Sequence, residues 1–244
     1  MPAVEAAGTV VAQATLPGGR HLLAVSVPEV ARVAAAGQFA MLRAGDGLDP
    51  YLRRALPFAH ISGEVVSFLF AADDPGLAWL ARRRLGDPVG LLGPLGRGFE
   101  LGRGIRHLLL VAAGEPVAPL LALAGQALAR QVSVNLAGSE TLLAPLVSII
   151  PEAVEWAPAA AGTSWEPPAE LLLWADLVAA SGPPDELRRL LAAGRGFGAG
   201  RVQCYVPAPI ACGLGWCGAC LTELRRGPRR ACTGGPVFDL TDLY

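Results

Sequence analysis

The chain has 244 residues, of which 52% are apolar and 17% charged, with a formal net charge of −1 at pH 7. That length fits one large domain or two small ones, and the apolar content suffices for more than one core. The near-neutral balance, without a long basic tract, excludes nucleic acid as an expected partner.

All twenty basic residues are Arg. The start, Met-Pro-Ala-Val-Glu, lacks the basic and apolar blocks of a secretory leader. The most apolar stretch, His107 to Leu123, is interrupted by Glu115, Pro116 and Pro119, so it predicts a buried strand, turn and helix and no membrane span. A cytoplasmic location is expected.

From Val4 to about Glu100 short β-rich runs alternate with turn residues. Thr9 to Thr15 and His21 to Val27, joined by Pro17-Gly-Gly, predict a hairpin. Gln38 to Arg43 and Glu64 to Phe70 predict further strands, and Leu77 to Arg84 a helix; together they suggest a small antiparallel barrel. Leu91 to Phe99 reads as a glycine-rich turn. After Gly104 the rhythm becomes strand and helix in alternation. Strands are expected at Arg106 to Ala112, Val132 to Leu136, Asp176 to Ala180 and Arg201 to Val206. Helices are expected at Val117 to Arg130 and Pro184 to Ala193, and a loop over Ala157 to Pro168. This pattern belongs to an open α/β domain. Leu221 to Arg225 and Arg230 to Cys232 predict a hairpin about Gly227-Pro228. The fold class is therefore multi-domain α and β: a barrel over residues 1–102, an α/β unit over 103–206 and a terminal segment over 207–244.

That segment carries Cys212-Gly-Leu-Gly-Trp-Cys217-Gly-Ala-Cys220, with Cys232 completing a C-x4-C-x2-C-x11-C pattern. Four thiolates at this spacing suit a plant-type [2Fe–2S] cluster, in which each iron takes two sulfurs from the protein. Zinc also uses four Cys, but usually as two separated pairs, whereas here three ligands crowd one loop. Disulfides are disfavoured because a glycine-rich loop gives poor bridging geometry. Cys204 lies outside the pattern and reads as a small buried hydrophobe. Trp216, inside the loop, reads as a shield or a contact residue. The Arg-rich run from Arg225 to Arg230 beside it is either a solvated face or a guide for an acidic partner surface.

Barrel, α/β domain, cysteine loop and the closing Gly-Gly-Pro-Val-Phe-Asp-Leu240 together resemble the electron-transfer subunit of NAD-dependent dihydroorotate dehydrogenase, within the ferredoxin-reductase superfamily. The resemblance is carried also by Gly93-Pro-Leu-Gly-Arg-Gly-Phe99 and Ala180-Ser-Gly-Pro-Pro184. It implies FAD on the barrel, a nicotinamide cofactor on the α/β domain, the cluster on the terminal segment, and an FMN-bearing catalytic subunit as partner. The chain is then an oxidoreductase component that is not catalytic alone, so no catalytic residue is assigned.

The resemblance also assigns cofactor-binding positions: Arg53 and Arg54, then Gly76 and Leu77 at the barrel helix, then Gly93, Gly96 and Gly98. The arginines also read as solvated strand-end charges, and the glycines as turn residues only. Two departures stand out. A hydroxyl expected near the flavin is Ala59, and another at the helix start is Leu77; losing both removes two hydrogen bonds, about 1–3 kcal/mol of affinity. On the nicotinamide side the turn reads Ala112-Ala-Gly-Glu-Pro-Val-Ala-Pro119. Glu115 there is expected to repel an anionic cofactor and Pro116 to remove an N–H donor. FAD is therefore expected to bind weakly and NAD hardly at all. Two rivals remain at this stage: a degenerate electron-transfer subunit of another oxidoreductase without NAD or FAD, and a non-enzymatic assembly protein stabilised by zinc or a cluster.

Overall fold

A computed structural model describes residues 3–159, 167–193 and 201–243. The amino-terminal part is a closed six-stranded barrel in the order β1-β2-β5-β4-β3-β6. Its strands are β1 (Val4–Leu16), β2 (Arg20–Ser26), β3 (Phe39–Leu42), β4 (Arg54–Ser62), β5 (Val65–Ala71) and β6 (Pro88–Leu95). The hairpin β1/β2 forms where the sequence predicts it, with Leu16 paired to Arg20 at its tip. Alternating side chains fill the barrel, and Leu23, Val25, Phe58, Phe68 and Leu91 are fully buried. The Phe58 and Phe68 rings meet at 5.5 Å in a tilted arrangement. Burying each such side chain is worth about 1.5–3 kcal/mol. Two short helices cover the barrel, α1 (Pro28–Ala31) and α2 (Pro75–Ala81), the second starting at Asp74 with Pro75 in its first turn.

The stretch expected as a glycine-rich turn is mostly strand: β6 runs to Leu95, pairing with β1 and β3. The misleading residue is Gly93. A Cβ there would lie 3.0 Å from Ala40 Cβ, so the glycine marks a close strand approach and not a turn.

The second unit is an open sheet ordered β14-β11-β10-β7-β8-β9. Here β7 is His107–Ala112, β8 Ser133–Ser139, β9 Glu155–Ala159, β10 Leu177–Ser181, β11 Val202–Tyr205 and β14 Val237–Asp239. The first five are parallel and β14 is antiparallel to β11. Leu108 to Val111 are fully buried, as a strand covered on both faces requires. The helices are α3 (Ala118–Leu128), α4 (Glu140–Leu143), α5 (Ala169–Trp174) and α6 (Pro184–Ala193). Within the expected loop, Ala157 to Ala159 belong to β9, held by pairing with β8 despite a composition poor in β-branched residues. Residues 160–166 of that loop lie outside the described part.

α3 sits between the two units. Leu120, Leu121 and Leu123 share one apolar core with Leu16, Ala59 and Leu69 of the barrel and Leu108 and Leu110 of the sheet. The terminal segment adds the hairpin β12 (Leu221–Thr222) and β13 (Arg229–Arg230), then α7 (Ala231–Gly234), before returning as β14. No helix among the described residues is long and apolar enough to cross a membrane.

Candidate iron-sulfur and flavin sites

Between β11 and β14 the chain makes an excursion that gathers four cysteines, none of them in a disulfide. Gly213, Gly215 and Gly218 adopt left-handed φ values of 73°, 82° and 74°, which lets the loop curl on itself. Its inner edge is fixed: a Cβ on Gly213 would lie 2.8 Å from Met41 of the barrel. Cys220 and Cys232 are buried, Cys212 is half-buried and Cys217 is exposed.

The thiols influence one another: Cys217 helps to lower the Cys212 thiol, and Cys220 and Cys212 help to raise that of Cys232. Among the described residues, no three His, Cys, Asp or Glu side chains close on one point as a single ion would need. Four thiolates at the Cys212, Cys217, Cys220 and Cys232 spacing suit two irons that each take two of them.

Backbone N–H groups surround the sulfurs. The N–H of Leu214 donates to Cys212 Sγ at 3.4 Å. The Cys217 N–H foremost, then Leu214, hold the Cys212 thiol down to about 6, against the effect of burial. Cys232 is pushed up to about 11, by burial first and then by the Cys220 thiol, with the Gly215 N–H opposing. A donor shell of this kind stabilises sulfur-centred negative charge, and ligation at Cys232 releases a proton.

Cys204 points from β11 into the core with 0% exposure, and burial raises its pKa strongly. Cys204→Ser should therefore leave iron content at the wild-type value in a per-chain iron assay. Loss of iron on that substitution would remove Cys212, Cys217, Cys220 and Cys232 as the sole ligand set.

Beside the loop lies a cleft of about 390 Å³ between barrel and sheet. Its walls come from Ala55 to Pro57 of β4, Leu69 to Ala71 of β5, Asp73, Tyr205, and Pro207, Ala208 and Ile210 leading into the cysteine loop. Arg20 and Glu115 form an ion pair at its rim. Walls that are mostly apolar, with Arg20, Asp73 and Glu115 as the charged groups, suit a flat aromatic ligand that carries polar edges.

The sequence-assigned residues are placed as follows. Arg54 donates from Nε to both carboxylate oxygens of Asp74 at 2.9 Å, and Asp74 Oδ1 accepts the N–H groups of Gly76 at 2.6 Å and Leu77 at 3.0 Å. The arginine and the helix start that the resemblance assigns to a phosphate thus already share a carboxylate. Arg53 pairs with Glu5. Gly96 and Gly98 lie beside the terminal segment and Gly93 packs against Ala40 of β3, and none of the three lines the cleft. Ala59 does not face the cleft either; it is buried in the core shared with α3, so the missing hydroxyl is replaced by packing. Partial burial raises the Asp74 pKa, but hydrogen bonds from Leu77, Arg54 and Gly76 outweigh it and the net shift is downward. A lowered carboxylate stabilises the fold above the usual carboxylate range and loses that contribution as pH falls through its folded pKa.

Sequence reasoning missed Asp74 and Arg20. Asp74-Pro75 is a legible helix-start signal. Their partners, twenty and ninety-five positions away, left no local trace.

Comparison with known proteins places these features. Residues 208–244 match the family described as the iron-sulfur cluster binding domain of dihydroorotate dehydrogenase B. Over 225 residues the chain is 28% identical to the "Dihydroorotate dehydrogenase B (NAD(+)), electron transfer subunit" of Bacillus cereus (strain Q1), covering 85% of this chain and 86% of that one. The chain is similar to those subunits over most of its length. The subunit of Bacillus anthracis (strain CDC 684 / NRRL 3495) matches equally, at 28% identity over the same shares. Among solved structures, an NADH-dependent reduced ferredoxin-NADP oxidoreductase superposes with a TM-score of 0.79 at 20% identity, over 97% of this chain and 89% of that one. Phthalate dioxygenase reductase gives 0.65 at 13% identity, over 91% and 87%. These two likenesses establish the ferredoxin-reductase fold expected from the sequence.

Proposed function

We propose that this chain is the electron-transfer subunit of a dihydroorotate dehydrogenase-type oxidoreductase, working in the cytoplasm in pyrimidine biosynthesis. In this reading residues 1–102 carry FAD, residues 103–206 form the nucleotide-binding-like scaffold and residues 207–244 hold a [2Fe–2S] cluster. The observation that carries it is the four-cysteine loop that follows directly on Pro207, Ala208 and Ile210, which line the cleft between barrel and sheet. The partner in this reading is an FMN-containing catalytic subunit; the words "electron transfer subunit" in the relatives' name support a separate partner.

A flavin exchanges electrons in pairs or singly while a [2Fe–2S] cluster passes them one at a time, which is why the two belong together. Cys212, Cys217, Cys220 and Cys232 would hold the cluster, which supplies a one-electron relay. The Leu214, Cys217 and Gly215 N–H groups offset the charge on the sulfurs. Pro207, Ala208 and Ile210 line the cleft and Cys212 follows them in the chain, so cleft and loop are joined by one short segment. Trp216, 86% exposed, and the exposed Arg229 and Arg230 present an aromatic and basic face beside the loop, suited to an acidic partner surface. Visible absorption tests the reading: cluster and flavin bands are expected together in aerobically purified protein, and a colourless, iron-free chain that still folds would overturn it.

Asp74 gives the flavin site its own prediction. Asp74→Ala should weaken folding by about 1 kcal/mol through loss of the helix cap. It should also free Arg54 for a phosphate and tighten FAD about tenfold. Opposite signs in a thermal melt and an FAD titration are the expected signature; a parallel fall in both would show that Arg54 does not meet the cofactor.

A further inference from the structure

In an open α/β sheet, ligands enter at the carboxyl ends of the strands where strand order reverses. That point here lies between β7 and β10, since β8 and β9 extend to one side of β7, and β10 and β11 to the other. It is where the NAD(+) in the relatives' name would be sought in this chain. The residues present do not fit a dinucleotide.

Three features close the crevice. First, the donors are engaged or missing. Pro116 and Pro119 carry no N–H, and the N–H of Val117 donates to Glu115 Oε2 at 3.1 Å, so among residues 116–119 only Ala118 retains a free position for a phosphate. Second, Glu115 Oε1 accepts from Arg20 of β2, tying the turn to the barrel across the cleft rim. This revises the sequence expectation: Glu115 does not act as a bare repelling charge, because Arg20 balances it. It acts as a resident anion that takes both the cation and the backbone donor a phosphate would need. Third, the strand ends are fastened together. Ser181 Oγ donates to Pro116 O at 2.6 Å, and the Ala113 N–H donates to Ser181 O at 2.9 Å. A Cβ on Gly114 would lie 2.7 Å from Pro183 Cδ, and one on Gly182 2.9 Å from the Ala113 carbonyl carbon, so the two turns approach closely and narrow the entrance.

We infer that this chain excludes nicotinamide dinucleotides, and that Glu115, held by Arg20, is the residue that determines the exclusion. The inference rests on the electron-transfer reading only for what the crevice would otherwise receive. The electrons therefore reach or leave this subunit through a carrier that need not enter between β7 and β10.

Calorimetric titration of the cluster-loaded full chain with NADH, and separately with ADP-ribose, tests this. Wild type should show no saturable binding up to about 1 mM of either compound. The double variant Glu115→Gly with Pro116→Gly frees Arg20 and the Val117 N–H and adds one donor, so a gain of about tenfold or more is expected. Adding Arg20→Ala should reverse that gain. If the double variant fails to retain the wild-type melting profile, Glu115→Ala alone is read the same way, with a smaller gain. Micromolar NADH binding by wild type, or a folded variant that gains nothing, overturns the inference. Failure of the electron-transfer reading is seen separately, as absence of cluster absorption in the wild-type protein before any nucleotide is added.

Discussion

Replacing Cys220 or Cys232 by Ala should abolish cluster assembly, with iron falling from about two per chain to near zero and the cluster bands lost. Both thiols are buried, at 1% exposure, so no outside ligand can substitute readily. The structural damage should be local. Leu224, Ala231, Val237, Phe238 and Leu240 of the terminal segment are buried, several of them in the core that also holds Leu109, Val178 and Cys204. Amide exchange should therefore accelerate over Leu214 to Gly218, while Phe238 and Asp239, placed in β14 against β11, keep their protection. The terminal segment thus shares the core of the sheet and does not build one of its own. Exchange that becomes uniformly fast from Pro207 onward would show that the cluster, and not this shared core, holds the segment.

Gly96→Ala should cost about 2–4 kcal/mol, combining a left-handed backbone with a steric clash. Gly96 has φ +77°, and an added Cβ would lie 2.8 Å from both Gly235 O and Pro236 Cδ. The neighbouring Arg97 N–H donates to the same Gly235 carbonyl, so the substitution strikes the seam between β6 and the cysteine-bearing tail. At this chain length the melting temperature should fall by roughly 5–15 °C. The cluster should also be lost sooner on heating, because Cys232 lies three residues from Gly235. A flavin-contact role for this glycine predicts the reverse pattern: an unchanged melt and a weaker FAD titration. Scanning calorimetry alongside that titration separates the two.

The cluster loop was legible from spacing because its chemistry is local: four ligands, three of them in one turn of chain, with glycines where the backbone must curl. The barrel hairpin and β7 were legible for a similar reason, since period and apolar run length are local signals. What escaped was decided at a distance. Gly93 in β6 looked like a turn residue because its reason, the approach of Ala40, lies on another strand. Ala59 looked like a lost flavin contact because its partner, α3, is more than fifty positions on. Glu115 looked like an isolated charge because Arg20 sits in a different unit. In each case the residue type was read correctly and its neighbour could not be.

The pairing of β14 with β11 has a consequence for how this chain can be divided or inherited. An iron-sulfur stretch that ends as a strand of its host sheet is not a cassette. Severed near residue 207, the remainder would present the bare edge of β11 and the apolar faces once covered by Phe238 and Leu240, a template for association with other chains. The severed piece would lack the surface that buries its own cysteines. Substitutions in Val202 to Tyr205 and in Val237 to Asp239 should then change in concert across related chains, and a graft of this tail onto another reductase should succeed only when β11 travels with it.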